Sequence, residues 1–210
     1  LALIFLPLGA SAAADQAKPT TTVVIIGDSL TQGYGVKETD AFPALLPGEL
    51  AKLGLSGVRV INAGISGSVT AEADRRVRFY SRLKPQLVMI CLGGNDALKG
   101  TPAVTIEQNL RRGILAAKEI GAQVALCAMR IFSNYGATYS KEFESLYPRL
   151  AREEGILLTP FILEGVALDS KLMLPDAKHP NEKGHVEVAR RLAPHLARLL
   201  SNRSKASGDK

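Results

Sequence analysis

Tryptophan is missing from the 210 residues, and aromatic residues of every kind make up only 5% of them. A base-stacking surface for nucleic acid therefore has little to be built from. Cysteine is nearly as scarce: Cys91 and Cys127 can make neither a disulfide framework nor a Cys-rich zinc site. Only three histidines occur, His179, His185 and His195. Any mechanism that needs an imidazole must use one of them. No apolar run reaches the roughly 20 residues that a membrane-spanning helix takes, and there is no internal repeat or linker. Polytopic membrane proteins, solenoids and disulfide scaffolds are excluded.

What is present is ordinary for a soluble domain, with 46% hydrophobic and 22% charged residues. The length fits one domain, able to bury about 70% of its unfolded surface without a metal or disulfide staple. The formal charge of +6 does not by itself locate a patch. Its densest basic stretch, Arg75, Arg76, Arg78, Arg82 and Lys84, follows Glu72 and Asp74 as a solvated helix face does, so no nucleic-acid partner is expected. Residues 1–14 are apolar or small and reach an A-x-A site at Ala10-Ser11-Ala12, the pattern of a secretory signal peptide. The run has no initiator Met and no basic segment before it, so a truncated signal peptide is expected. Export to the periplasm or medium follows, with no stable membrane insertion and, since no segment marks an interface, a monomer.

Strand-length apolar runs at 23–26, 58–61, 87–92, 124–128 and 156–158 alternate with helical patterns. Continuous rather than alternating runs suit strands buried on both faces of a parallel sheet. Helices are predicted over 42–53, from a capping box at Thr105 to Gln108 through Ala117, over 143–151, and over 186–200 with an interruption or kink at Pro194. The polar residues 201–210 read as a disordered tail. The alternation predicts an α/β sandwich with right-handed crossovers.

In such sheets ligands bind outside the carboxyl ends of the strands. Small and polar residues gather there, at 27–33, 62–67 and 93–96, and again at 176–180. Serine-based acyl transfer needs a hydroxyl, a base, a group that orients the base, and donors aimed at the oxyanion. Ser29 offers the hydroxyl and, opening a helix, its own N–H. Asp176 and His179 stand three apart before Pro180, so one short turn can present both. Asn95 offers a side-chain donor, and Gly67 an N–H that no side chain blocks.

Each of these residues also has a simpler reading. Ser29 can act as a helix cap, while Asp28 and Asp96 can hold their loops by local hydrogen bonds. Ser66 is a rival nucleophile, but Ser68 breaks the G-x-S-x-G elbow around it. His185 and His195 read as surface or packing residues. Asp176 and His179 lack further ligands for a zinc site. Cys91 and Cys127 read as small buried residues on neighbouring strands, poorly placed for a disulfide, and Lys99 as solvated or as a contact for phosphate.

These residues also carry a family resemblance. Gly27-Asp28-Ser29-Leu30 is the string from which GDSL esterases take their name. Together with Gly67, with Gly94-Asn95-Asp96 and with Asp176 and His179, the chain resembles the SGNH hydrolase superfamily in all four of its blocks, in order. The similarity runs from about Thr22 to Leu200 and defines one hydrolase domain at 20–200. Phe42 to Leu46, Asn62 to Gly67 and Tyr147 to Leu150 are similar to the bacterial arylesterase and multifunctional acyl-CoA thioesterase/lysophospholipase branch.

The resemblance implies a three-layer flavodoxin-like sandwich whose five parallel strands are ordered 2-1-3-4-5. It implies Ser29 as nucleophile, His179 as base, Asp176 as its orienter, and Ser29, Gly67 and Asn95 as the oxyanion hole, with no metal or cofactor. Residues 129–136 match a substrate-side loop of that branch, and Leu98, Ile131, Phe132 and Tyr135 are expected to line an acyl groove. The expected activity is hydrolysis of a small-molecule acyl ester or thioester. A carbohydrate O-acetyl esterase, a flavodoxin-like module that binds phosphate or flavin without turnover, and a secreted adhesion module are the alternatives.

Overall fold

The five apolar runs form five strands: β1 (Thr21–Gly27), β2 (Val58–Gly64), β3 (Leu87–Cys91), β4 (Gln123–Ala128) and β5 (Leu157–Phe161). They make one parallel sheet in the order β2-β1-β3-β4-β5. The computed structural model describes residues 21–131 and 135–208, with side chains through residue 202. The expected signal peptide at 1–14 and Phe132 lie outside the described residues.

The helices are α1 (Ser29–Gln32), α2 (Phe42–Lys52), α3 (Ala73–Phe79), α4 (Gly94–Leu98), α5 (Ala103–Glu119), α6 (Ala137–Glu153) and α7 (Glu182–Gly208). Handedness decides where they lie. From β1 the chain steps one way to β2, then reverses across β1 to β3 and continues to β4 and β5. Right-handed crossovers must then put α2 on one face and α3, α5 and α6 on the other. The packing agrees: α2 meets α7, while α3 and α6 both pack on α5. Val23, Val24, Ile25, Ile26 and Leu87 to Cys91 are buried between the two layers.

The reversal leaves a crevice between β1 and β3. Register levels the strand ends around it, since Gly27 pairs with both Gly64 and Cys91. The loops that follow these three residues therefore emerge side by side.

Several sequence expectations are corrected. α5 begins at Ala103 with Pro102 as its cap residue and no side-chain cap, so the Thr105 capping box is not used. Pro102 starts the helix earlier because its carbonyl already accepts from Thr105 N and Ile106 N. α7 passes Pro194 without interruption and reaches Gly208, so most of the expected disordered tail is helical. Residues 201–207 contain neither glycine nor proline, and nothing in them stops propagation. Arg76, expected on a solvated face, is only 6% exposed. It shares its side of α3 with buried Ala73 and Val77.

Candidate active site

Ser29 is the first residue of α1, two residues past the end of β1. Its N–H belongs to the first turn and has no intrahelical acceptor. Asp28 precedes it as the cap residue, and its Oδ1 accepts from Leu30 N at 3.0 Å. Burial pushes the Asp28 carboxyl up to about 6, against the Leu30 hydrogen bond and the fields of His179 and Arg76.

The imidazole arrives from the other end of the chain. Asp176 Oδ1 accepts from Lys178 N at 2.9 Å and His179 N at 3.1 Å, closing a turn through Ala177 at φ +54°. That turn leaves Oδ2 free to face the ring, 2.6 Å from His179 Nδ1. On the ring's opposite side, Nε2 lies 2.9 Å from Ser29 Oγ. Partial burial works against the Asp176 carboxylate, but the His179 ring and the two amides outweigh it and hold it down to about 2. It therefore stays ionised behind an imidazole that can accept the serine proton. Asn181 pins this segment, donating to Lys171 O and Met173 O and accepting from Gly184 N at the start of α7.

Gly67 and Asn95 come from the loops after β2 and β3. Gly67 sits at φ +79°, where its open N–H can turn toward the crevice and an L side chain is strained. Asn95 Nδ2 donates to Ser68 O at 3.0 Å, spending one of its two hydrogens on the glycine loop. Asp96 fastens the same two loops, accepting from Thr70 N at 2.9 Å and Thr70 Oγ1 at 2.6 Å. Ser29, Gly67, Asn95 and His179 all line one cleft of about 650 Å³, within the range of small-molecule sites.

The structure separates the alternatives read from the sequence. Ser66 points to Gln32, whose Oε1 accepts from both its N and its Oγ at 2.7 Å, and among the described residues no histidine or carboxylate hydrogen-bonds to it. His185 is fully buried as a packing residue, its Nδ1 accepting from Phe42 N at 3.2 Å. Burial lowers its pKa to about 4, more than Glu182 and Asp40 raise it. His195 lines a separate small pocket beyond β5. Cys91 and Cys127 are buried free thiols on adjacent strands. Leu98 and Ile131 line the cleft, and Tyr135 is not among its described lining residues; Gly136 (φ +91°), directly after Tyr135, leads into α6.

Sequence reasoning assigned no role to five residues of this site. Tyr34 lays its ring 4.6 Å from the His179 ring. Gln32 holds the loop beside Gly67, and Gly64 lets it approach, since a Cβ there would strike the Gln32 backbone. Arg76 donates from α3 to Gly27 O at 2.9 Å and to Ala63 O, tying together the ends of β1 and β2. Arg130 lines the cleft, its guanidinium 5.7 Å from the Phe161 ring centre. Only Arg76 had a visible signal, its i+3 spacing from Ala73 on the apolar side of α3.

Comparison with known proteins follows the same lines. Residues 25–186 match the GDSL-like Lipase/Acylhydrolase family. The chain is 36% identical to an arylesterase of Vibrio mimicus over 179 residues, 85% of this chain and 89% of that protein. It is 34% identical to the thioesterase 1/protease 1/lysophospholipase L1 of Escherichia coli K12 over 190 residues, 90% of this chain and 89% of that protein. Among solved structures, the psychrotrophic esterase EstA from Pseudoalteromonas sp. superposes with a TM-score of 0.81 at 30% identity, covering 86% of this chain and 99% of that one. With the family match spanning most of the sequence and these relatives covered almost end to end, the chain belongs to the GDSL-like Lipase/Acylhydrolase family.

Proposed function

We propose that the protein is a serine esterase that hydrolyses carboxylic esters or thioesters through an acyl-enzyme. The observation that carries this reading is the unbroken relay from Asp176 Oδ2 through both ring nitrogens of His179 to Ser29 Oγ, at 2.6 and 2.9 Å. Ser29 Oγ attacks the carbonyl carbon as Nε2 takes its proton, and Asp176 stabilises the imidazolium. The oxyanion is received by the Ser29 and Gly67 amides and by the second Asn95 hydrogen. His179 returns the proton to the leaving alcohol or thiol. Water, activated by the same base, then releases the acid and restores Ser29.

The apolar lining given by Leu98, Ile131, Leu163 and Met173 supports an acyl chain rather than a sugar as the bound part. Names of the relatives, an arylesterase and a thioesterase/lysophospholipase, favour aryl esters, acyl thioesters and lysophospholipids as substrates. The test is hydrolysis of p-nitrophenyl esters from acetate to palmitate by the wild type and by Ser29→Ala. Activity lost in the variant, with a chain-length optimum in the wild type, is expected. A variant that keeps its rate removes Ser29 from the reaction.

The A-x-A site that ends the apolar run at 1–14 supports export. N-terminal sequencing of protein recovered from the periplasm of a host expressing the full gene should begin after Ala12. Retention of the run overturns export with cleavage.

A further inference from the structure

Gln32 ends α1, three residues after Ser29, and its backbone N donates to Asp28 O at 2.9 Å. One helical turn therefore joins it to the nucleophile. Its carbonyl accepts from Asn62 Nδ2 at 3.3 Å, and Asn62 Oδ1 accepts in turn from Gly64 N at 2.9 Å. Gly64 lies so close that an added Cβ would stand 2.1 Å from Gln32 N. The side chain reaches on to Ser66, where its Oε1 accepts from both N and Oγ at 2.7 Å. An exposed residue thus holds the end of β2 through Asn62 and the loop after it through Ser66.

Directly after Ser66 comes an oxyanion donor. Ser68 N donates to Ile65 O at 3.1 Å, closing a four-residue turn with Ser66 second and Gly67 third. The φ of +79° at Gly67 is what a type II turn requires of its third residue. Turn type decides the direction of the Gly67 N–H, because a type I turn rotates the peptide between the second and third residues by about half a revolution. Direction is thus set by Gly67, whereas position is set by whatever holds the turn. Its first residue is tied to the sheet, Ile65 N donating to Gly27 O at 3.1 Å. Its last is tied to Asn95, which donates to Ser68 O at 3.0 Å. Gln32 supplies the hold on the residue immediately before the donor.

We propose that Gln32 is a positioning residue of the oxyanion hole, fixing the Gly67 N–H relative to Ser29; this rests on the serine-esterase reading above. Since Ser29 and Gln32 share one helical turn, a displacement of the nucleophile carries the Ser66 anchor with it. The spacing between the attacking Oγ and the amide that receives the oxyanion is thereby preserved. A donor of this kind meets its oxygen fully only as charge develops, so a shift beyond about 0.5 Å costs rate rather than substrate binding. Ser66, the rival nucleophile of the sequence, becomes the handle by which the loop is held. Exposed hydrogen bonds add little to stability, so a merely structural clamp and a positioning residue give different results.

The test compares Gln32→Ala, Ser66→Ala and the double variant on p-nitrophenyl acetate, with Tm measured alongside. Gln32→Ala is expected to lower kcat about tenfold, short of the 10²–10³ of a deleted donor, with KM and Tm close to those of the wild type. Ser66→Ala removes one of the two bonds and should cost less. Added to Gln32→Ala it should cost nothing further, because the two residues act through one contact. Unchanged kcat in Gln32→Ala overturns the proposal, as does a loss confined to KM, or losses that simply add in the double variant. Amide hydrogen exchange gives a readout free of turnover: the Ser66 N–H should exchange faster in Gln32→Ala than in the wild type. Equal exchange overturns the clamp. A wild type inactive on every p-nitrophenyl ester overturns the esterase reading instead, an outcome distinct from an active wild type matched by Gln32→Ala.

Discussion

Asn95 serves two partners with one amide: a hydrogen to Ser68 O holds the glycine loop, and the other faces the cleft. Truncation removes both, and an oxyanion donor is worth about 10²–10³ in kcat. Asn95→Ala is therefore expected to lower kcat by about that factor on p-nitrophenyl acetate with little change in KM. A loss of only a few-fold takes Asn95 out of the oxyanion hole. Residues of this type were legible because acyl transfer demands a fixed set of groups: Ser29, Gly67 and Asn95 stood where strand ends fell, and Asp176 and His179 stood three apart in one short turn. Tyr34 was not legible. Its contact with His179 spans 145 positions of sequence (179 − 34) and leaves no local pattern.

At the scale of elements, Arg76 shows how a helix can set the geometry of two strands. Its guanidinium caps carbonyls at the ends of β1 and β2, and Ser29 and Gly67 follow those ends. Glu72 offers it only a distant partner at 4.0 Å. Burial lowers the Arg76 pKa, but the base stays charged because guanidinium ordinarily titrates far above neutrality. Arg76→Met leaves Ala63 O buried without its donor. The expected cost is about 3 kcal/mol, a fall in Tm of roughly 6–12 °C for a chain of this size. Differential scanning calorimetry measures it, and an unchanged Tm refutes the clamp. Strand positions were readable because the buried runs are continuous. Helix ends were less so: α5, α6 and α7 all extend beyond their apolar stripes, since polar residues continue a helix as readily as apolar ones once it is nucleated.

Alternation of strands and helices gave a parallel sheet, and the family resemblance its strand order, but the whole molecule's response to pH needed the fold, because it depends on which polar groups become buried. Two buried groups oppose each other. Asp28 ordinarily titrates at 3.8 and is raised to about 6. Between these values the folded chain holds a proton that the unfolded chain has lost, so stability falls as pH rises. His185 ordinarily titrates at 6.5 and is lowered to about 4. There the unfolded chain holds the extra proton, so stability rises with pH. Each contribution amounts to about 3 kcal/mol, and over pH 4–6 the two nearly cancel. Below that window Asp176 and Glu187, both held near 2, are protonated in turn and stability is lost. The wild type should therefore show a level denaturant midpoint from pH 4 to 6 and a steep decline beneath it. Asp28→Asn keeps the Leu30 acceptor but removes the titration, so its stability should climb by about 3 kcal/mol between pH 4 and 6.5. His185→Gln, still able to accept from Phe42 N, should instead lose about as much between pH 4 and 6. Urea midpoints across this range decide the matter. If both variants run parallel to the wild type, neither group is buried with its charge suppressed, and the level midpoint has another cause.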